Sequence, residues 1–371
     1  MVKINPTIEK LSSAAPFIAP EETERQRGVI FKARLGANEG NFGPSPAALE
    51  AMAKATQDSA WKYGDPTGHD LRATLADSLG VPFEGVVLGT GIDNLLGLTV
   101  RIFSERGDKI VTSLGAYPTF NYHVTGNGRV LSTVPYADFH EDLDGLLKRV
   151  QDVRPPIVYL SNPDNPMGTW WPAEKVEAFA AALPSTTLFI LDEAYSETAP
   201  SDAIPAIGNL PENVIRMRTF SKAYGLAGMR CGYAIGEPPL ISQFNKIRDH
   251  FGVTSASQAG AMAAFSDQEY LRASIAKIEL ARSRIATIAS DNGLTPIESA
   301  SNFVACVCEE GPQYANALIS ALAEEGVFIR KSMAPGLDHC IRVSVGRDEE
   351  LDWFETALPR AIETAALSTA T

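Results

Sequence analysis

The strongest constraint on the fold is a series of short runs rich in Val, Ile and Leu through the middle of the chain. They fall at 86–88, 109–112, 129–134, 157–160, 188–191, 214–217 and 231–235, with helical patterns between them. A strand with one face in water alternates apolar and polar residues. Several of these runs are instead continuously apolar, as strands covered by helices on both faces are. The pattern specifies an α/β architecture: a mostly parallel seven-stranded sheet between helices.

The flanks read differently. Gly36, Gly40, Gly43, Pro44 and Pro46 crowd the segment before the first run, and Ser45-Pro46 has the form of a helix start leading into 47–55. After about residue 270 a long helical pattern covers 270–291. Strand-like runs follow at 302–308, 327–330 and 340–345, with a helix between the first two and another after the last. This predicts a smaller α+β domain. A chain of 371 residues also exceeds the usual size of a single core. The expected division is an N-terminal segment 1–40, too short for a domain, that packs on the small domain or on a partner subunit; a large domain 41–270; and a small domain 271–371.

Composition excludes several functions. With 32 basic and 45 acidic residues the formal charge is −13. Nonspecific nucleic-acid and anionic-membrane binders carry the opposite balance. Four cysteines are too few for a disulfide scaffold, and none is spaced for zinc. The five histidines form no metal-ligand pattern. Residues 11–18 are weakly apolar but are broken by Ser12, Ser13 and Pro16, and no apolar stretch is long enough to span a membrane. The expected location is the cytoplasm.

The chemistry lies where the runs end. In open α/β sheets ligands sit at the carboxyl ends of strands. Here 157–160 ends in Ser161-Asn162-Pro163-Asp164-Asn165-Pro166-Met167-Gly168, and 188–191 in Asp192-Glu193-Ala194-Tyr195. The run from 214 ends in Thr219-Phe220-Ser221-Lys222, and the first in Gly89-Thr90-Gly91 at a helix start. One site thus receives an anion-binding turn, an amide, an acid, a phenol and a lysine. A lysine amine that meets a carbonyl forms a Schiff base. Pyridoxal phosphate brings an aldehyde, a phosphate, a phenolic oxygen and a pyridine nitrogen, and each has a candidate partner. Lys222 would take the aldehyde, and the amides of Thr90 and Gly91 the phosphate. Asn165 and Tyr195 would bond the phenolic oxygen, and Asp192 would keep the ring nitrogen protonated. Taken singly these residues have plainer readings: Lys222 a surface lysine, Asp192 a helix cap, Asn162 and Asn165 turn formers before proline. A dinucleotide reading of Gly89-Thr90-Gly91 fails because Asn94 stands where a third glycine is needed.

The motifs at 161–168, 192–195 and 221–230 (Ser-Lys-Ala-Tyr-Gly-Leu-Ala-Gly-Met-Arg) resemble the fold-type-I, class I/II aminotransferases, nearest the histidinol-phosphate aminotransferase subfamily. Order and spacing agree over about residues 30–360. The resemblance implies an aspartate-aminotransferase-like fold, pyridoxal phosphate as cofactor, an amino donor and a keto-acid acceptor such as 2-oxoglutarate as partners, and a homodimer with shared active sites. It places Tyr117 near the cofactor ring, and Thr219, Ser221 and Arg230 in the phosphate cradle. Tyr63, in Tyr-Gly-Asp-Pro at 63–66, would reach the phosphate of the neighbouring subunit. Arg342 would hold a substrate carboxylate, Arg330 would face the substrate side chain, and Asn38, in Ala-Asn-Glu at 37–39, would join them. Lys222 would be catalytic, moving the substrate α-proton. The sequence departs from the pattern at Gly91, at 40–42 and at Met167, which bears on the substrate and not on the cofactor set. A decarboxylase or lyase on the same fold and an aromatic amino acid aminotransferase are the alternatives. A regulator's sensor domain would need an added DNA-binding unit, for which about 30 preceding residues are too few.

Overall fold

The computed structural model describes residues 2–13 and 19–369. Residues 14–18, the end of the weakly apolar stretch at 11–18, lie outside the described residues. A short strand β1 (Ala33–Arg34) comes first. The seven apolar runs follow as β2 (Val86–Gly89), β3 (Lys109–Ser113), β4 (Val130–Val134), β5 (Ile157–Ser161), β6 (Leu188–Asp192), β7 (Val214–Thr219) and β8 (Gly232–Gly236). They form one sheet in the order β2-β8-β7-β6-β5-β3-β4. All neighbours are parallel except β8, which is antiparallel to both β2 and β7. The reason is the connection. A parallel return needs a crossover helix, and only a loop with one 3-10 turn (Ala227–Met229) joins β7 to β8.

Both faces of the sheet are apolar, with the two-residue period of a strand. Ile157 and Tyr159 of β5 pack with Ile190 against the helices Ile92–Phe103 and Pro118–Gly126. Val158 and Leu160 point the other way, to the helices Leu143–Val153 and Ala173–Ala182. The start predicted at Ser45 is present: its Oγ accepts the Ala48 N–H at 3.2 Å and caps the helix Pro46–Ser59.

The C-terminal part holds β9 (Thr295–Pro296), β10 (Phe303–Val307), β11 (Val327–Phe328), β12 (Arg330–Lys331) and β13 (Cys340–Ser344). The run 327–330 is not one strand. Val327 and Phe328 pair in parallel with β1, whereas Arg330 and Lys331 pair with β13 in the antiparallel sheet β12-β13-β10-β9. The break at Ile329 sits where Gly36 comes close: a Cβ there would lie 2.6 Å from the Phe328 ring. The N-terminal segment is therefore woven into the C-terminal part by backbone pairing. No helix among the described residues is long and apolar enough to cross a membrane.

Candidate active site

Register brings the strand ends together. Ser161 of β5 stands opposite Asp192 of β6, and Asp192 opposite Met217 of β7. Above them lies a cavity of about 380 Å³ whose wall includes Tyr117, Asn165, Asp192, Tyr195, Lys222 and Arg230. Thr219 and Ser221 complete its floor at the β7 end.

Asp192 is 4% exposed and has no ion-pair partner among the described residues. Its Oδ2 accepts the Tyr159 hydroxyl at 2.8 Å, and its Oδ1 the Ala194 N–H at 3.0 Å. Burial outweighs these bonds and pushes the carboxyl up to about 7. Lys222 donates from Nζ to the Asn38 carbonyl at 2.9 Å. Burial, with Arg342 nearby, lowers its amine to about 8.

At one end the helix Ile92–Phe103 starts at Gly91 without a side-chain cap, so its first amides point outward. Gly91 has φ 82°, and a Cβ on it would lie 2.5 Å from Arg230 Nη2. The Gly91 N–H itself is already given to the Gly89 carbonyl at 2.8 Å. The outward donors are thus those just inside the helix rather than Gly91. Thr219 Oγ1 donates to Ser221 Oγ at 2.9 Å, and Arg230 Nη1 reaches the same oxygen at 3.5 Å.

At the other end the C-terminal sheet adds arginines that stand outside the residues lining the cavity, and Arg342 reaches its wall through Asn165. Arg342 donates from Nη1 to Asn165 Oδ1 at 2.7 Å, while its buried Nε has no partner. Arg330 stands directly opposite Arg342 across the β12–β13 pair, so the two side chains share a face. Their guanidinium groups lie 5.4 and 5.2 Å from the Phe328 and Phe303 ring centres.

Two predicted residues sit differently from the rest. Asn38, in the left-handed region at φ 54°, has its side chain committed: Nδ2 donates to the Tyr195 hydroxyl at 3.1 Å, and Oδ1 accepts from Ser344 Oγ at 2.8 Å. It lies behind the wall, which Ala37 and Glu39 line. Tyr63 is 79% exposed and packs on Phe251, away from the cavity of its own chain.

Sequence reasoning missed Asp93, which accepts the Tyr117 hydroxyl at 2.7 Å and faces Arg230 at 3.9 Å. Its place in the first turn after Gly91 was the available signal. It also missed Tyr159 and Asn302. Asn302 Nδ2 donates to the carbonyl of Asn38 at 3.0 Å and to that of Glu39 at 3.1 Å. Nothing local marks either residue.

A buried amine and a buried acid without an ion pair line one cavity, with Arg230 in its wall and Arg342 bonded to Asn165, and comparison with known proteins gives the class. Residues 32–358 match the family "Aminotransferase class I and II", and the chain belongs to that family. It is an aminotransferase. Among its relatives, a histidinol-phosphate aminotransferase of Erythrobacter litoralis is 37% identical, over 94% of this chain and 95% of the relative. A histidinol-phosphate aminotransferase of Sinorhizobium meliloti, solved in complex with pyridoxal-5'-phosphate, is 51% identical, with TM-score 0.94 and 98% of each chain covered. An aspartate aminotransferase of Thermus thermophilus with maleate is 22% identical, with TM-score 0.82 over 97% of this chain and 100% of that one; it shows the fold alone.

Proposed function

We propose that this aminotransferase moves an amino group from histidinol phosphate, or a donor like it, to 2-oxoglutarate, with pyridoxal phosphate between Asp192 and Lys222. The observation that carries the substrate reading is the pair Arg330 and Arg342, opposed on neighbouring strands. Two arginines on one face suit substrates that bring two negative charges. Histidinol phosphate brings a phosphate and 2-oxoglutarate brings two carboxylates, so one pair serves both half-reactions.

The residues fit the cofactor. Asp192 is a buried acid without a cation, and a protonated pyridine nitrogen would supply one. Gly91 lets the Arg230 guanidinium lie against the start of the helix, where a Cβ would displace it. When bound, the cofactor supplies an aldehyde and a ring that draws electrons from the substrate. Asp192 would hold its ring nitrogen, with Tyr159 fixing the acid. Asn165 and Tyr195 would hold its phenolic oxygen, and Tyr117 would lie against its ring. Ser221, Thr219, Arg230 and the helix start after Thr90 and Gly91 would hold its phosphate.

Lys222 takes up and returns a proton at Nζ. Lowering its amine to about 8 leaves a useful fraction neutral near physiological pH. Asn38 gives that amine a resting acceptor and orients Tyr195. Arg342 orients the carboxylate.

The protein acts in the cytoplasm as a homodimer, in which Tyr63 reaches the partner's cofactor phosphate. Support comes from an exposed aromatic group at Trp61, Tyr63 and Phe251, and from four cysteines that are all buried and free. The test is an amino-donor screen with 2-oxoglutarate, read by glutamate formation. Histidinol phosphate should give the highest kcat/KM. A neutral aromatic amino acid that outperforms it would overturn the substrate assignment.

A further inference from the structure

Below Asn165 lie two acids that the proposed chemistry does not use. Glu141 follows β4 and Asp164 precedes Asn165; each is 2% exposed. No ion pair reaches either of them among the described residues. Glu141 Oε2 accepts from Ser113 Oγ at 2.5 Å, and its Oε1 accepts the Ser161 N–H at 2.8 Å. Asp164 Oδ1 accepts the Tyr136 hydroxyl at 2.9 Å, and its Oδ2 the Met167 N–H at 2.9 Å. Between the acids stands Ser161 Oγ, 3.1 Å from Glu141 Oε1 and 3.1 Å from Asp164 Oδ1.

A hydroxyl has one proton. It serves one of these oxygens, and the other then meets a lone pair. Two ionised acids would leave that contact repulsive inside a buried site, which is costly. One added proton satisfies every contact: Glu141 donates to Ser161 Oγ, and Ser161 donates to Asp164. The same Ser161 Oγ accepts the Asn165 N–H at 3.4 Å, and Asn165 Oδ1 accepts Arg342. We infer that Glu141 and Asp164 share one proton through Ser161, and that this proton positions Asn165 and, through it, Arg342 for carboxylate binding.

The surroundings agree. Burial pushes both acids up, and Asp164 adds to the rise at Glu141. The phenols that face the pair, Tyr136, Tyr159 and Tyr195, are raised by burial and stay neutral. Arg342 is the cation that acts on Asp164. Asp192 stands opposite Ser161 in register, and its Oδ2 accepts the Tyr159 hydroxyl. His140, next to Glu141, turns its Nδ1 to the Asp138 carbonyl and its ring to Trp171. Glu141 and Asp164 are thus positioning residues.

That Arg342 takes a carboxylate rests on the function proposed above; the proton itself does not. Infrared spectra of the holoenzyme should contain a protonated-carboxyl band that disappears as pH rises above neutral. The band should be missing in Glu141→Gln, whose amide keeps the donor toward Ser161. In Asp164→Asn the neighbouring charge is gone, so the band should titrate at lower pH. In wild type, KM for 2-oxoglutarate should rise at least about fivefold from neutral to about pH 9.5, the loss of roughly one hydrogen bond. Glu141→Gln should flatten that rise relative to wild type, with kcat little changed. A wild-type spectrum without the band, or one unchanged in both variants, overturns the shared proton. An alkaline KM rise of the same size in Glu141→Gln overturns the positioning role. Failure of 2-oxoglutarate to react at all would instead sink the proposed function, and leaves the infrared test standing.

Discussion

Replacing Lys222 with Met should make the cofactor-free protein more stable at neutral pH. The amine is lowered from an ordinary 10.5 to about 8 because burial disfavours its charge. Each pKa unit is worth about 1.4 kcal/mol, so the charged amine costs the fold at most about 3 kcal/mol. Lys222 keeps some contact with water, which reduces this to about 2 kcal/mol. Met keeps most of the volume and loses the hydrogen bond to Asn38, about 1 kcal/mol. The expected gain is therefore about 1 kcal/mol. The pH dependence fixes the sign independently. A lysine with a lowered folded pKa weakens the fold fully below about pH 8, and the cost vanishes as pH rises toward 10.5. Wild type should gain about 2 kcal/mol on Lys222→Met across that window, enough to reverse the order. Urea unfolding of both cofactor-free proteins at several pH values measures this. A Met variant less stable than wild type at neutral pH, with a difference that does not change with pH, would refute the reasoning.

Asp192→Ala should lose turnover by several orders of magnitude and hold the cofactor weakly, as judged by its absorbance after gel filtration. Near-normal kcat would mean that the acid is structural. Borohydride reduction of the yellow holoenzyme should fix the label on Lys222, and mass mapping to another lysine would contradict the assignment. Arg342→Lys should raise KM for 2-oxoglutarate by at least about tenfold, because a point charge cannot reproduce the fork. Gly91→Ala should cost stability by about 1 kcal/mol or more, since φ 82° strains any side chain and the new Cβ meets Arg230. Light scattering should give twice the chain mass, and a fully active monomer would rule out Tyr63 acting across an interface.

The strands were legible because each is a local signal: three to six residues of largely apolar chain flanked by turns. Lys222, Asp192 and Asn165 were legible because they end such runs within motifs. The direction of β8 was not, since nothing in its apolar run sets it apart from the parallel strands and only the short loop before it decides. The split at Ile329 depends on Gly36, which is remote in sequence. Glu141 stood in an ordinary acidic stretch, and its importance comes from Ser161 and Asp164, which the fold brings beside it. Asn38 was expected at the substrate; its bonds to Tyr195 and Ser344, partners that only the tertiary structure supplies, were not legible.

The joining of β1 to β11 has a consequence for synthesis. Residues 33–39 leave the ribosome early, but Arg34 and Asn38 find Glu350 and Ser344 only 316 and 306 residues later. Contacts of that separation form late and slowly. A nascent chain halted before Asn302 has every strand of the seven-stranded sheet but neither Asn302, which holds the Asn38 carbonyl beside Lys222, nor Ser344, which holds the Asn38 amide and side chain. The acceptor of the reactive amine is therefore fixed late, and a prematurely terminated chain carries the residues that line the cavity without the contacts that hold Asn38 in place.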